Sequence, residues 1–366
     1  MIVLAIESTC DETGASVARR SPMVEGDVIQ AGVEILSDVK ASSAEILSKY
    51  GGIVPEVAAR EQVAAIIPVI EEAIEKSQIA INQIDAIAVT EGPGLIGSLL
   101  IGVETAKALA LAWKKPLIRV NHMAAHLFAN WIVRKDDTAP EESLRAISGV
   151  SNSTPELPAV ALIVSGGHTD LILLRSLTDW EWVGGTRDDA AGEAFDKAAR
   201  AMDFPYPGGP MVAKAAAEAE LELPVELKLP RPMIHENNLE MSFSGLKTAL
   251  IDVMKENKEK LGREPGLIKS LAREFNQAVA EVLIKKTMLA IERFSPKAVL
   301  LAGGVAANTT LREGLAAGVK KVGLEFYLPD LKYCTDNAAM IAACALMRPT
   351  YIDPLKLRPN PGLEVG

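Results

Sequence analysis

Two histidines, His122 and His126, are the residues whose spacing most directly suggests chemistry. The chain has four histidines in all, and these two are four residues apart on a predicted helix, which places their Cβ atoms about 5–6 Å apart on one face. Two imidazoles at that spacing can bind one cation, although two ordinary hydrogen-bonded histidines give the same pattern. A protease of the H-E-x-x-H type would need a glutamate directly after the first histidine, and Met123 stands there. The spacing therefore leaves metal binding open and argues against proteolysis.

A glycine-rich turn precedes this histidine pair. Residues 92–97 read G-x-G-x-x-G between a predicted strand at 84–90 and a predicted helix, which is typical of dinucleotide-binding sites. Such sites also need an acidic residue about 20 positions further on to hold the ribose. Basic and amide residues occupy that region, 114–121, in this sequence. We therefore interpret the turn as one that lets a helix and a strand pack closely.

Polar turns between two pairs of predicted strands form a repeated pattern. Residues 7–13 read E-S-T-C-D-E-T, and residues 165–169 read S-G-G-H-T. Adjacent glycines allow backbone N–H groups to surround an anion, although a plain hairpin tip explains each turn equally well. The recurrence predicts a duplicated α/β lobe with one phosphate-binding hairpin in each copy.

Segments near the C-terminus add weaker signals. The glycine pair at 303–304 precedes a predicted helix and offers flat backbone to a base or a ribose. Asp336 precedes an apolar helix, where an ordinary helix cap is the simplest interpretation. Apolar residues at helical spacing over 267–294 predict a long helix that packs across a sheet. The Pro-rich segment after Met347 is expected to be loosely held.

The composition is typical of a globular enzyme. The 366 residues are 49% hydrophobic, 23% charged and 4% aromatic, which suits two or three α/β domains. Three scattered cysteines without a C-x-x-C pair predict a reducing compartment. We recognise neither a signal segment nor an apolar run of membrane-spanning length, so a cytoplasmic protein without membrane contact is expected. The net charge of −10 argues against strong nucleic-acid binding by the chain alone.

Ten motifs follow one another along the chain: ESTCDET at 7–13, YGGIVPE at 50–56, EGPGLIGS at 91–98, NHMAAHL at 121–127, VSGGHT at 164–169, DDAAGEAFDK at 188–197, PGGP at 207–210, SFSGLKT at 242–248, GGVAAN at 303–308 and CTDN at 334–337. Taken in order, they resemble the motifs of the TsaD family, and the resemblance extends over residues 2–345. Two positions depart from many members: Ala124 stands in place of glutamate, and Gln62 in place of histidine.

The resemblance implies an α/β fold of the actin/Hsp70/sugar-kinase type, with two duplicated lobes around a nucleotide and metal cleft. On this basis, residues 1–133 form the N-terminal lobe, with a helix at 336–347 packing back on it. Residues 134–158 form a surface loop between the lobes, 159–335 the C-terminal lobe and 348–366 a tail.

The resemblance also implies the site residues. The metal ligands are His122, His126 and Asp336, and the metal is Fe by resemblance, with Zn or Mg as alternatives. The residues that match nucleotide-binding positions are Ile163, Val164, Ser165, Gly166, Gly167, Asp196, Gly209 and Asn308. Asp11 and Glu12 are candidates for the group that accepts a proton from the amine nucleophile.

The implied activity is transfer of a threonylcarbamoyl group from threonylcarbamoyl-AMP to N6 of the adenosine 3′ to the anticodon. The acceptors are tRNAs that read codons starting with A, and a separate synthase makes the threonylcarbamoyl-AMP. The implied partners are tRNA, a TsaB-like paralogue and a TsaE-like ATPase. Residues 56–76 and 97–111 are the candidate contacts with the paralogue. Three alternatives remain at this stage: a Mg²⁺-dependent sugar or acetate kinase, a small-molecule O-carbamoyltransferase and a non-enzymatic nucleotide switch of the Hsp70 kind.

Overall fold

The computed structural model describes residues 1–25, 28–43, 46, 54–133, 150–151 and 153–364. Residues 50–53 of the YGGIVPE motif and most of the loop predicted at 134–158 lie outside these residues. The strands are β1 Ile2–Glu7, β2 Glu12–Glu25, β3 Val28–Ser42, β4 Ala86–Gly92, β5 Leu117–Asn121, β6 Ala159–Val164, β7 Thr169–Leu174, β8 Trp180–Gly185, β9 Ala298–Ala302, β10 Glu325–Tyr327 and β11 Tyr351–Ile352. The α-helices are α1 Pro55–Ser77, α2 Ile96–Trp113, α3 His122–Phe128, α4 Ala191–Ala201, α5 Gly208–Ala217, α6 Ser244–Glu256, α7 Lys258–Arg263, α8 Gly266–Phe294, α9 Thr309–Lys321 and α10 Ala338–Met347.

The strands form two mixed sheets with the same core topology. The first has the order β11-β5-β4-β1-β2-β3 and the second the order β10-β9-β6-β7-β8. In the first, β1 is antiparallel to β2 and parallel to β4; in the second, β6 is antiparallel to β7 and parallel to β9. Each sheet therefore begins with a hairpin and continues through parallel crossovers, which agrees with the α/β fold class implied by the resemblance.

Alternate residues of the central strands enter different cores. Leu4 of β1 and Ile87 of β4 pack with α1 and α2 on the outer side of the first sheet. Ala5 of β1 and Ala161 of β6 lie instead in a layer that contains α3 and α10. The period of two follows from the alternation of side chains along a strand. The short helix α3 and the N-terminus of α10 consequently meet in this middle layer, where the functional site lies.

Helices α4, α5, α6, α8 and α9 cover the outer side of the second sheet. The long helix α8 was predicted at 267–294 and is observed at Gly266–Phe294. Its buried residues include Leu271, Phe275 and Val279, at the spacing that places them on one helical face. The amphipathic pattern thus predicted both the helix and its packing.

The C-terminal segment is ordered, and the expectation of a loosely held tail is wrong. Tyr351–Ile352 pairs antiparallel with β5 as the edge of the first sheet. Residues 353–364, which we call the C-terminal strap, then cross the glycine-rich turn. The Asn360 N–H donates to Glu91 O at 2.8 Å and the Gly94 N–H to Pro361 O at 3.3 Å. A Cβ atom on Gly92 would lie 1.8 Å from Asn360 O. The absence of a side chain at this position therefore allows the backbone of the strap to pack directly against the turn.

One helix in the described part of the chain, Ile96–Trp113, is long and apolar enough to cross a membrane by length and composition alone, contrary to the expectation that no such run exists. It packs against β4 and α1, with Leu99 and Val103 fully buried. Ile96, Leu100 and Leu111 are exposed on its other side.

Candidate metal centre and adjoining cavities

Helix α3 carries both histidines of the predicted metal site. Asn121 ends β5 and caps α3, since its side-chain oxygen accepts from Met123 N at 2.9 Å and Ala124 N at 3.0 Å. A short helix that starts directly at the end of a buried strand has little freedom to tilt. Its first and fifth residues, His122 and His126, are buried with ring centroids 4.8 Å apart. The sequence spacing therefore corresponds to real proximity.

Asp336 reaches this pair from the opposite end of the chain. Its Oδ1 lies 3.3 Å from Nε2 of His122 and 3.3 Å from Nε2 of His126. The residue that caps α10 is Asn337, whose side chain accepts from Met340 N at 2.8 Å, so the Asp336 carboxylate is not used as the helix cap. One ligand atom from each of the three residues lies within 4.8 Å of the others.

Glu7 is a member of this cluster that the sequence did not single out. Its Oε2 lies 3.2 Å from Nδ1 of His122 and accepts from Thr90 Oγ1 at 2.5 Å, while its Oε1 accepts from Thr9 N at 2.7 Å. A carboxylate on one ring nitrogen of a histidine orients the other nitrogen. Glu7 thus directs Nε2 of His122 towards Asp336. The available signal was a glutamate at the carboxyl end of an otherwise apolar strand.

The electrostatics of the metal-free cluster are dominated by the carboxylates. Burial alone would lower the pKa of His122, but Asp336 and Glu7 outweigh it and raise this pKa to about 10. Burial lowers the pKa of His126, against the opposing attraction of Asp336. Burial would raise the pKa of Asp336, yet the two histidines hold it well below its usual value of 3.8. The metal-free cluster consequently carries a proton on His122 at neutral pH.

The residues fit a divalent metal ion. Nδ1 of His126 is buried without a hydrogen-bond partner, and Nε2 contacts Asp336 Oδ1 at 3.3 Å without hydrogen-bond geometry; such an arrangement is costly unless another group satisfies these nitrogens. Two imidazoles and one carboxylate form a donor set suited to Fe or Zn, and they leave coordination positions open for other oxygen ligands. A cation bound by His122, His126 and Asp336 would satisfy Nε2 of His126 and displace the proton from His122.

A cavity of about 960 Å³ opens beside the cluster. His122 and Asp336 line it, together with the turn at 165–168 from the second sheet. The strap residues 361–364, which are held on the first sheet, line it as well. No pattern in the sequence indicated this contribution from the C-terminus.

A second cavity of about 450 Å³ lies next to the first. It contains several of the residues predicted to bind nucleotide, namely Ser165, Gly166, Asp196, Gly209 and Asn308. A Cβ atom on Gly166 or Gly209 would meet nothing within 4 Å, so both positions face open space. Asp196 holds the start of α5 by accepting from Gly208 N at 2.8 Å, and Asn308 Nδ2 donates to Asn276 Oδ1 at 2.6 Å.

Three of the predicted nucleotide residues lie elsewhere. Ile163 and Val164 are fully buried in β6 and do not line the second cavity; they support the turn at 165–168. Gly167 lines the larger cavity only. The remaining predicted residues line the smaller cavity from two sides, because the turn follows β6 while Asn308 precedes α9.

The two candidate proton acceptors differ in their surroundings. Asp11 lines both cavities, and burial together with nearby Asp336 raises its pKa. Glu12 lines only the smaller cavity; its Oε1 is 3.6 Å from Lys40 Nζ, and burial raises its pKa. Gln62 supports the backbone that carries both residues, since its Nε2 donates to Cys10 O at 3.2 Å and to Glu12 O at 3.1 Å. Asp11 is therefore the better placed of the two to face both cavities.

The comparisons with known proteins agree with the resemblance in the sequence. The TsaD family, described as tRNA N6-adenosine threonylcarbamoyltransferase, matches residues 34–343. Proteins named tRNA N6-adenosine threonylcarbamoyltransferase include one from Moorella thermoacetica, 42% identical over 366 residues that cover 100% of this chain and 97% of the relative. Another, from Thermomicrobium roseum, is 44% identical over 363 residues that cover 94% of this chain and 91% of the relative.

Among solved structures, full-length HypF in its phosphate- and nucleotide-bound form aligns with a TM-score of 0.51 at 13% identity, covering 94% of this chain and 46% of HypF. That likeness concerns the fold alone. The family match extends over residues 34–343, and the two relatives are more than 40% identical over most of the chain. The chain therefore belongs to the TsaD family of tRNA N6-adenosine threonylcarbamoyltransferases, the enzymes that form threonylcarbamoyladenosine in tRNA.

Proposed function

We propose that this chain transfers the threonylcarbamoyl group of threonylcarbamoyl-AMP to N6 of the adenosine 3′ to the anticodon, in tRNAs that read codons starting with A. The observation that carries the proposal is the position of the His122–His126–Asp336 cluster. Asp336 lines both cavities, so a donor in one and an acceptor in the other would meet beside it. Two duplicated lobes of the actin/Hsp70/sugar-kinase type would bring such cavities together between their sheets.

The smaller cavity is the proposed site of the adenylate part of the donor. The backbone at Gly166, which borders this cavity, suits a phosphate, and the 3₁₀ helix Gly304–Ala307 beside Asn308 borders the space proposed for the nucleoside. If this placement is right, Gly209→Val should weaken AMP binding, because the new side chain would occupy the cavity without clashing with protein. Gly262→Val is the matched control, since Gly262 also faces open space but lines neither cavity. Equal AMP affinity of the two variants by calorimetry would contradict the placement.

A bound metal ion, Fe by family resemblance with Zn or Mg as alternatives, would be held by His122, His126 and Asp336. Such an ion supplies Lewis acidity and a template for phosphate or carbonyl oxygens. The chain's own contribution is to present three ligands at fixed positions: Asn121 fixes α3, and Glu7 fixes the ring of His122.

The proposed reaction joins the N6 nitrogen to the carbamoyl carbon of the donor. The bond from that carbon to the phosphate oxygen breaks, AMP leaves with the bonding electrons, and one N6 proton passes to a base. Asp11 is our candidate, because a carboxylate with a raised pKa is a stronger base than an ordinary one and this residue lines both cavities. Asp11→Asn should lower kcat while leaving the donor Kd unchanged. A fall in kcat accompanied by an equal fall in donor affinity would assign Asp11 to donor binding instead.

We also propose that the chain acts with a TsaB-like paralogue, a TsaE-like ATPase and a separate synthase, in the cytoplasm, where its tRNA substrate is found. Helices α1 and α2 pack together and expose apolar side chains, among them Val63, Ile67 and Leu100. This exposed pair of helices is the proposed surface for the paralogue. Ile67→Asp should abolish complex formation in size-exclusion chromatography. Val225→Asp, at an 80% exposed valine elsewhere, should have no effect.

The experiment that tests the activity is reconstitution with tRNA, threonylcarbamoyl-AMP and the partner proteins, followed by nucleoside analysis of the tRNA. The complete mixture should form threonylcarbamoyladenosine, and omission of this chain should abolish the product. The isolated chain should turn over little, because its net charge of −10 disfavours RNA binding without help. Rapid multiple turnover by the isolated chain would contradict the partner requirement while leaving the chemistry intact.

A further inference from the structure

Trp182 is an aromatic residue in an unusual position. Of the four tryptophans, all of which lie in the part of the chain that the structure describes, it alone is exposed, at 52%. It lies on β8, the edge strand of the second sheet, and lines the larger cavity. Trp180, two residues earlier on the same strand, packs against Phe128 in the middle layer. Trp182 is exposed instead, so packing in the core does not explain its presence.

The indole is fixed in place. Its Nε1–H donates to Asp170 Oδ1 at 2.8 Å, across the β7–β8 pair. Gly185 leaves room for the ring, because a Cβ atom there would lie 3.3 Å from Cζ2 of Trp182 and 2.8 Å from Asp170 Oδ1. Because the only polar atom of the side chain is already bonded, the exposed part of the ring is apolar aromatic surface, which can stack on a flat partner.

The other residues around the cavity define what this ring can bind. Away from the metal centre, several carboxylate side chains line the cavity, at Asp11, Asp170, Glu193, Asp196 and Glu364, and no lysine or arginine is among the described residues that line it. This part of the wall repels phosphate groups, so an RNA segment that passes along it gains little there from its backbone. The faces of its unpaired bases are the remaining groups that can make favourable contacts.

We propose that Trp182 stacks on an unpaired base of the tRNA anticodon loop next to the adenosine that is modified, and so positions that adenosine at the metal centre. The inference rests on the proposed function, since it requires the acceptor to enter the larger cavity. The strap residues 361–364, held on the first sheet, bound the same cavity. The stacked base therefore lies between the second sheet and the strap.

The test uses the reconstituted complex with the variants W182L and W182F. W182L keeps an apolar side chain but removes the π-face, so the KM for tRNA should rise roughly 5- to 150-fold, the range expected for losing one base–aromatic stack. The kcat and the donor Kd should change little. W182F should restore most of the tRNA affinity, because a phenyl ring can also stack. Tyr351→Leu is the matched control, an exposed aromatic residue that lines neither cavity.

A second measurement identifies the base. Anticodon loops with a single abasic nucleotide at each position flanking the modified adenosine should each be assayed with the unaltered chain and with W182L. When the abasic nucleotide is at the position that stacks on Trp182, the unaltered chain and W182L should bind the loop equally well, since the stacking base is already missing. A W182L variant with unchanged KM, or a full W182L defect on every abasic loop, would overturn the inference. Failure of the unaltered complex to modify tRNA would instead overturn the proposed function.

Discussion

Replacing Asp336 with asparagine should destabilise the metal-free protein at neutral pH and much less at high pH. The Asp336 carboxylate lies 3.3 Å from Nε2 of both His122 and His126. With Glu7, it raises the pKa of His122 to about 10 against the opposing effect of burial. A group with a raised pKa stabilises the folded state fully below its unfolded pKa, about 6.5 for histidine, and this stabilisation is lost as the pH rises to 10.

The magnitude follows from the size of the shift. A rise from 6.5 to about 10 corresponds to about 5 kcal/mol, at about 1.4 kcal/mol per pH unit. Asp336 is the largest of the causes that raise this pKa against the effect of burial, so we expect the Asp336→Asn variant to lose most of this stabilisation at pH 7, about 3–5 kcal/mol. That loss is of the size measured when one partner of a buried ion pair is removed. His126 does not add to the pH dependence of the difference in unfolding free energy between the two proteins, because its lowered pKa leaves it neutral at pH 7 and above.

The assay is urea unfolding of the chelator-treated protein and its variant at pH 7 and at pH 10.5. The difference in unfolding free energy between the two proteins should shrink at pH 10.5, where His122 is largely neutral in both. Asp252→Asn, at an exposed aspartate on α6, is the matched control and should show no such pH dependence. An equal loss for Asp336→Asn at both pH values, or no loss at pH 7, would refute the reasoning.

Three further predictions test the surroundings of the site. His126→Ala should lose stoichiometric metal while staying folded, as checked by metal analysis and circular dichroism; full retention of metal would contradict the site. Asn121→Ala should cost about 1 kcal/mol of stability because it removes the α3 cap, and metal affinity should fall with it in a competition titration. Gly92→Ala should displace the strap and lower the Tm, since its Cβ would lie 1.8 Å from Asn360 O. Gly97→Ala, with its nearest neighbour at 3.5 Å, should not, and equal Tm values for the two variants would contradict the proposed packing.

Local patterns in the sequence predicted the elements of the fold well. The strand Ala86–Gly92, predicted at 84–90, and the helix Gly266–Phe294, predicted at 267–294, follow from runs and periodicities that act over a few residues. The recurrence of a polar hairpin predicted a repeated lobe, and the two sheets do share one core topology. Such features are encoded locally, because burial on one or two faces of a strand or helix selects apolar residues at fixed spacing.

The metal centre was only partly accessible to the same reasoning. The spacing of His122 and His126 suggested a cation site, but Asp336 entered through the resemblance alone. Glu7 was missed, although it contacts His122 as closely as Asp336 does. Both carboxylates reach the histidines through packing in the middle layer, where α3 lies against α10 and β1 ends beside them. No spacing rule applies to residues so far apart in the chain, since their proximity is decided by tertiary packing.

The C-terminal strap shows why composition can mislead about order. Its proline content and lack of periodicity are typical of a loose tail. The strap is nevertheless held by backbone hydrogen bonds to Glu91 and Gly94 and by close contact at Gly92. The information for this order lies in the glycine-rich turn, whose missing side chains leave space for another backbone. The turn was interpreted as one that lets a helix and a strand pack closely, whereas the closest neighbours of Gly92 and Gly94 are the strap residue Asn360 and Thr9. Because the strap lines the larger cavity, the same glycines also shape the site proposed for the acceptor.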